Sequence, residues 1–243
     1  MHTCLTIDEG NSSTKIALWR DGVIAHERTL AHGTVDDVLQ VLGPDGPADA
    51  LIFCSVCGRD AEATRLSLAP LARRVYILSA HMRLPVTLSY RTPATLGADR
   101  IAAAAGAATL MPGRTCLVVD MGTAITYDVV DAAGNFVGGN IAPGIFVRLE
   151  ALNHFTRALP LVETDGDVPR WGYDTETALR SGAIRGVVGE LQYYRHCLGT
   201  DAAVVLTGGS ADLITPFITS PVTVEPNLVL IGLHRILQYN ENL

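Results

Sequence analysis

The stretch TCLTIDEGNSSTKI, Thr3 to Ile16, returns as TCLVVDMGTAITYD, Thr115 to Asp128, at an offset of 112 residues. Each copy opens on an apolar run of strand-forming residues (Cys4 to Ile7; Cys116 to Val119). It then passes through Asp-x-Gly into small polar residues and returns in a second strand-like run. A strand, turn and strand written twice predicts a duplicated domain.

The residues around the two copies extend the repeat. The first half reads as strands at Cys4 to Asp8, Thr14 to Trp19 and Val23 to Thr29, then a helix at Val35 to Leu42 and a strand at Ala50 to Val56. A helix at Ala61 to Arg73 and a strand at Val75 to Leu78 follow. A Pro-punctuated loop leads to an alanine-rich helix, ADRIAAAAGAATL, which stops at Met111-Pro112-Gly113, the boundary signal. The second half repeats the order: strands at Cys116 to Asp120, Ile125 to Val130 and Phe136 to Ile141, and a helix at Ile145 to Leu159. After a polar loop come helix Thr175 to Cys197, strand Ala203 to Thr207 and a last helix at Asn227 to Tyr239. The pattern predicts an α/β protein of two similar domains, residues 1–112 and 113–243, each a mixed sheet flanked by helices, with a cleft between them.

Composition narrows the partners. A formal charge of −7 with no Lys/Arg cluster argues against nucleic acid. No apolar run reaches the length of a membrane span, and MHTCLTIDEG lacks the basic flank and apolar core of a secretory signal, so a cytoplasmic protein is expected. Five cysteines, Cys4, Cys54, Cys57, Cys116 and Cys197, suit reduced thiols; Cys54-x-x-Cys57 reads as core packing ahead of a redox or metal pair. Of the 18 cations 17 are Arg, and the one Lys, Lys15, lies in the first turn, where a compact ammonium suits a phosphate oxygen. A surface lysine left by compositional drift is the plainer reading.

In DEGNSSTK, Gly10 allows close backbone approach, and Asn11, Ser12, Ser13 and Thr14 offer donors beside the backbone N–H groups, which together make a phosphate cradle. Asp8 would meet a triphosphate through Mg²⁺, and Asp120 with Gly122 and Thr123 would approach from the other jaw. Either turn alone is also compatible with an ordinary β-turn. LTGG, Leu206 to Gly209, adds a place for backbone to approach a nucleotide, or a plain tight turn. Asp99 in LGADR, at a helix start behind Gly97, is a candidate base for an acceptor hydroxyl, against the alternative of dipole capping.

The ordered set DEGNSSTK, YRTPATLGADR, DMGTAITYD, GGNIAPGI, ALNHFTRALP, DTETALRSGAIRGVVG, LTGG and NLVLIGL resembles the type III pantothenate kinases over almost the whole chain. These belong to the acetate kinase, sugar kinase, heat-shock chaperone and actin superfamily, so the resemblance implies two RNase H-like, actin-like ATPase domains. It implies transfer of the γ-phosphate of ATP to pantothenate, giving 4′-phosphopantothenate for coenzyme A synthesis, with Mg²⁺, a monovalent cation (K⁺ or NH₄⁺) and a homodimer. Asp8, Glu9, Gly10, Asn11, Ser12, Ser13, Thr14 and Lys15 match the family's ATP loop, and Thr123 a further ATP contact. Asp120 matches the monovalent cation ligand and Asp99 the general base; Tyr90, Gly97, Ala98, Asp99, Arg100 and Thr175 match pantothenate contacts. Glu9 stands where the family is usually apolar, adding a carboxylate near the phosphates that would weaken ATP binding or contact metal. Thr177 competes with Thr175 for its role.

Two rivals stay open at this level: a sugar or acetate kinase of the same superfamily, and a non-catalytic ATP-binding transcriptional regulator. A P-loop kinase is excluded, because no G-x-x-x-x-G-K-[ST] occurs.

Overall fold

Strand β1 (Thr3–Glu9) is buried on both faces: Leu5 and Ile7 on one side, Cys4 and Thr6 on the other, are each at most 2% exposed. Such a strand belongs in the middle of a sheet with both faces covered. In the computed structural model, which describes residues 2–43 and 46–241, β1 pairs antiparallel with β2 (Thr14–Arg20) and parallel with β4 (Ala50–Ser55). Strand β3 (Val23–Leu30) lies outside β2, and β5 (Val75–Ile77) outside β4, giving the order β3-β2-β1-β4-β5.

One face of this sheet, with Leu5, Ile7, Ile16, Leu18, Leu51 and Phe53, packs against α1 (Val35–Leu42) and α2 (Ala61–Leu68). A capping box between Thr34 and Asp37 starts α1. The other face carries Trp19, whose ring stacks on His234 of α7 (Leu228–Glu241) with centroids 4.1 Å apart. Burial, aided by the charges of His2 and Arg235, pushes the His234 imidazole down to about 4 and keeps that ring neutral.

Helix α3 (Ala98–Leu110) is the alanine-rich segment, and every residue from Arg100 to Ala107 is buried. Its small residues let the α3 and α7 backbones touch. A Cβ on Gly232 would stand 1.8 Å from the Ala102 carbonyl oxygen, and one on Gly106 2.3 Å from that of Leu228.

The second sheet repeats the plan with β7 (Cys116–Met121) at its centre. On one side come β8 (Ala124–Val130) and β9 (Asn135–Pro143), joined by the turns at Gly122–Thr123 and Asp131–Gly134. On the other side lie β10 (Ala203–Thr207), parallel to β7, and the short β11 (Thr223–Val224). Five of this sheet's six strands, in the order β9-β8-β7-β10-β11, match β3-β2-β1-β4-β5 strand for strand, so the duplication read in the sequence is a duplication of topology. Helices α4 (Ile145–Phe155), α5 (Thr175–Leu198) and α6 (Ala211–Ile214) cover it, with Ile145, Leu149, Ile184, Val187 and Leu191 facing Ile125, Tyr127 and Val204.

The chain folds as two compact units: Met1–Gly113 with Val130–Val137 and Asn227–Leu243, and Arg114–Val129 with Gly138–Pro226. The expected division into 1–112 and 113–243 therefore differs at the end of the chain, where α7 packs with the first unit through the Gly106 and Gly232 contacts. The turn at 130–137 also counts with the first unit, where β6 (Thr87–Leu88) pairs with Asn135 and Phe136. The strands β6 and β11, two residues each, lie below what side-chain alternation reveals.

Two helices are shorter than expected. The helix read as Ala61 to Arg73 ends at Leu68 and gives way to a 3-10 turn at Ala69–Leu71, because Pro70 lacks the N–H that would continue it. The helix read as Ile145 to Leu159 ends at Phe155; Thr156 turns extended, and its hydroxyl donates to the Leu152 carbonyl and accepts from the Leu159 N–H. Among the described residues no helix is long and apolar enough to cross a membrane.

The α3–α7 contact yields a stability test. Gly232→Ala must push the two helices apart, and overpacking of this kind costs about 1–3 kcal/mol. Urea unfolding should show a lower midpoint with an unchanged slope; a midpoint equal to wild type would mean that the backbone approach is not close.

Candidate active site

In the first unit the phosphate hairpin is the β1–β2 turn. Its register sets Asp8 opposite Lys15 and Glu9 opposite Thr14, and the Gly10 N–H donates to the Ser13 carbonyl at 2.9 Å. Directly opposed residues share a face, and consecutive residues do not. Asp8 and Lys15 therefore lie on one face, Glu9 and Thr14 on the other. Asn11 and Ser12 are exposed at the tip, with Ser13 half-buried behind them.

Asp8 shares its surroundings with Asp99. The buried Cys54 thiol is raised well above its ordinary value first by burial, then by the charges of Asp8 and Asp99 and a hydrogen bond with Asp8, so both carboxylates act on this one sulfur. Asp99 is the second residue of α3, with Ala98 the first and Gly97 as its N-cap. Its Oδ1 accepts from the Arg100 N–H at 2.8 Å, and a Cβ on residue 97 would lie 2.4 Å from that oxygen, which explains the glycine. Burial raises the Asp99 carboxyl above the ordinary 3.8, opposed by the hydrogen bond and charge of Arg100.

Arg100 is 6% exposed, with its guanidinium 5.8 Å from the centre of the Tyr90 ring and 5.6 Å from that of Phe136. Tyr90 reaches this place because the Ser89 N–H donates to the Phe136 carbonyl, which extends the β6 pairing. Tyr90, Gly97, Ala98, Asp99 and Arg100 thus form one group in the first unit.

Glu9 departs from its expected place beside the phosphates. Its carboxylate lies on the α1/α2 side of the sheet, where Arg59 Nε and Nη2 donate to it at 2.6 and 2.5 Å and Ser55 Oγ donates at 2.7 Å. The Arg59 hydrogen bond is the main reason its carboxyl sits below the usual range. The cause is alternation: if Asp8 faces one way, Glu9 cannot. Thr14 is likewise turned, its Oγ1 accepting from the Gly33 N–H at 3.1 Å. Each hairpin residue therefore offers backbone, but not every side chain, to one ligand.

In the second unit Asp120 is the penultimate residue of β7, beside the turn carrying Thr123. Gly208, at φ +87°, backs the carboxylate so closely that a Cβ there would lie 2.5 Å from Asp120 Oδ1 and from the Met121 nitrogen. The LTGG segment is thus a close approach to the Asp120 strand end. The Thr123 turn is held from behind by Gly144, whose N–H donates to the Thr123 carbonyl at 2.9 Å and whose absent side chain leaves room for it. Arg148 braces this segment, donating to the Pro143 carbonyl at 2.8 Å while paired with Glu190 at 2.7 Å, and Tyr127 donates to the same Glu190 oxygen.

Thr175 and Thr177 have separate positions at the start of α5. Thr177 is buried and its hydroxyl donates to Asp174 Oδ1 while accepting from the Asp174 N–H, completing a capping box. Thr175 is exposed. The geometry leaves Thr175 as the residue with a hydroxyl to offer.

Arg59, Ser55, Arg148, Glu190 and Gly144 were not singled out from the sequence, because each acts through a partner distant along the chain. One signal did point to this region. In FCSVCGRD, Cys54 is fully buried, as core packing requires, but Cys57 is exposed with its thiol 3.4 Å from the Gly10 carbonyl, against the phosphate hairpin. All five cysteines are free, and among the described residues no group of three His, Cys, Asp or Glu is placed to hold a metal.

Known proteins resemble this chain along nearly its whole length. The family model described as type III pantothenate kinase matches residues 4–196. The type III pantothenate kinase of Porphyromonas gingivalis is 39% identical over 242 residues, covering 97% of this chain and 98% of that one. Among solved structures, a Campylobacter jejuni protein assigned to the Baf family of transcriptional activators aligns with TM-score 0.68 at 21% identity over 98% of this chain and 100% of its own. A Sinorhizobium meliloti protein assigned as a 2-dehydro-3-deoxygalactonokinase aligns at 0.62 and 17% over 98% and 99%. These two likenesses speak for the fold alone. With matched motifs, a duplicated fold and a relative 39% identical along nearly its full length, the chain belongs to the type III pantothenate kinase family.

Proposed function

We propose that this kinase moves the γ-phosphoryl group of ATP to the primary hydroxyl of pantothenate with Asp99 as general base. The observation that carries the reading is the placement of Asp99, second residue of the small-residue helix α3 behind the close-fitting Gly97, with Arg100 and Tyr90 grouped beside it and its carboxyl raised by burial. In the reaction the hydroxyl proton passes to the Asp99 carboxylate as the acceptor oxygen bonds to phosphorus and the bond to ADP breaks. Backbone N–H groups of the Gly10–Ser13 turn and Lys15 bind phosphate oxygens. Tyr90, Arg100 and Thr175 hold pantothenate, and Thr123 contacts ATP.

Mg²⁺ takes one or two protein carboxylates and completes its shell with water and phosphate oxygens. Asp8 would hold it, and the bound ion supplies neutralising charge on the phosphates. Asp120 would hold K⁺ or NH₄⁺. Five free cysteines accord with a cytoplasmic setting.

Asp99→Asn should lower kcat on the order of 10²-fold or more. It should also unfold no more easily than wild type near neutral pH. A folded-state pKa raised by burial means that Asp99 stabilises the fold only when protonated, and this contribution is lost as pH rises through its folded value. In wild type, kcat/KM should fall with acid above the ordinary aspartate value of 3.8, as the base takes up its proton. Full turnover by the variant, or an acid limb at the ordinary value, would remove Asp99 from this role.

The assignment of Asp120 predicts activation by K⁺ or NH₄⁺ over Na⁺ at matched ionic strength. Equal rates in the three salts would contradict it, and Asp120→Asn should abolish the difference between them.

A homodimer with sites shared across two chains is supported by α5. Thr175 is exposed at its start, and a Cβ at Gly182 or Gly189 would meet nothing within 4 Å, leaving a small-residue flank open to a partner helix. Mixing Asp99→Asn with Thr175→Arg subunits, each inactive alone, should restore roughly a quarter of wild-type activity under random pairing. Verified exchange with no recovery would place Thr175 and Asp99 of the same chain in one site.

A further inference from the structure

The two Asp-x-Gly turns differ at their middle residue. In the second copy it is Met121, fully buried in the apolar core of its unit. In the first it is Glu9, only 8% exposed, a carboxylate sent by strand alternation where its counterpart is a hydrophobe. A buried carboxylate is tolerated when it is paired and hydrogen-bonded. Arg59 supplies a two-pronged guanidinium contact and Ser55 a third bond, so the carboxylate is satisfied by the end of β4 and the loop that follows it. The same loop reaches the hairpin elsewhere: the Val56 N–H donates to the Glu9 carbonyl at 3.2 Å, and the Cys57 thiol donates to the Gly10 carbonyl at 3.4 Å. Ser55 Oγ in turn accepts from the Cys57 N–H at 3.0 Å, tying the loop to itself.

Glu9 lies between Asp8 and Gly10, so whatever fixes its side chain fixes both neighbours. We propose that Arg59 is a positioning residue of the kinase reaction: by clamping Glu9 from the far side of the sheet it sets the placement of Asp8 and of the Gly10–Ser13 turn against the phosphates of ATP. This rests on the reading of Asp8–Lys15 as the phosphate hairpin. The guanidinium fork matters because two parallel bonds set an orientation that a single ammonium cannot. Arg59 touches neither substrate in this scheme. It acts only through Glu9.

The test uses the full-length chain with ATP affinity from calorimetry, both KM values, kcat and Tm. Arg59→Leu strands the Glu9 carboxylate and should raise Kd and KM for ATP about tenfold, while KM for pantothenate stays within about twofold. Replacing both partners, Glu9→Met with Arg59→Leu, removes the stranded charge and should bring ATP binding back to within about threefold of wild type, a strongly non-additive pair. Arg59→Lys and Ser55→Ala, milder changes, give the same ranking if Arg59→Leu does not fold. The clamp is refuted if both KM values change together, if losses follow Tm alone, or if the double variant is the sum of the singles. A Lys15→Met control separates the two levels. If it leaves ATP affinity intact, the hairpin reading fails; if it weakens ATP binding while the Arg59 variants do not, only the clamp fails.

Discussion

Everything in the active centre of the first unit depends on the two-residue period of a β-strand. Alternation sends Asp8 to the face covered by α3 and α7, and the next residue to the face covered by α1 and α2. The second unit repeats this at Asp120 and Met121, with Met121 buried in its core. An Asp-x-Gly strand end can therefore present one carboxylate to a ligand and must hide the next side chain. In the second copy a methionine meets that demand by itself. In the first, Glu9 meets it with help from Arg59 and Ser55.

The second constraint is closeness, supplied by residues without side chains. Gly97 lets the Asp99 carboxylate fold back on its own helix start, Gly208 lets the β10 turn press on Asp120, and Gly144 lets α4 begin against the Thr123 turn. At each place a Cβ would come within about 2.5 Å of a neighbouring atom, nearer than atoms in packed interiors approach. The candidate ligand-binding groups thus stand on strand and helix ends wedged in place, which is how a rigid scaffold limits the freedom of loop residues. Gly106 and Gly232 do the same at larger scale, seating the α3 helix that carries Asp99.

Much of this was legible in the sequence because it is local. The repeat at Thr3 and Thr115 gave both sheets, and the hydroxyl-rich turns marked the strand ends. What escaped is non-local. Gly106 and Gly232 meet across more than half the chain, so nothing near NLVLIGL reveals that the last helix returns to the first unit. Glu9 finds Arg59 fifty residues away, and was expected beside the phosphates because a list of loop residues carries no face; strict alternation from Asp8 would have turned it correctly. Pro70 is a local signal as well, since a proline inside an apolar helical pattern ends the helix. Thr175 and Thr177 could be separated only by seeing which hydroxyl the Asp174 cap consumes.

Asp99 departs from the ordinary behaviour of its position. An aspartate in the first turn of a helix ordinarily gains from the helix dipole, which favours the charged form and would make it a weaker base. Here burial outweighs that: it is the largest influence on the carboxyl and raises it, with the Arg100 N–H and guanidinium pulling the other way. The Arg100 guanidinium lies 5.8 and 5.6 Å from the centres of the Tyr90 and Phe136 rings. Sequence alone could weigh dipole capping against catalysis at this position without deciding between them. Burial of the helix start, with Arg100 beside it buried, sets the direction of the Asp99 carboxyl against the ordinary behaviour of an aspartate in a first turn.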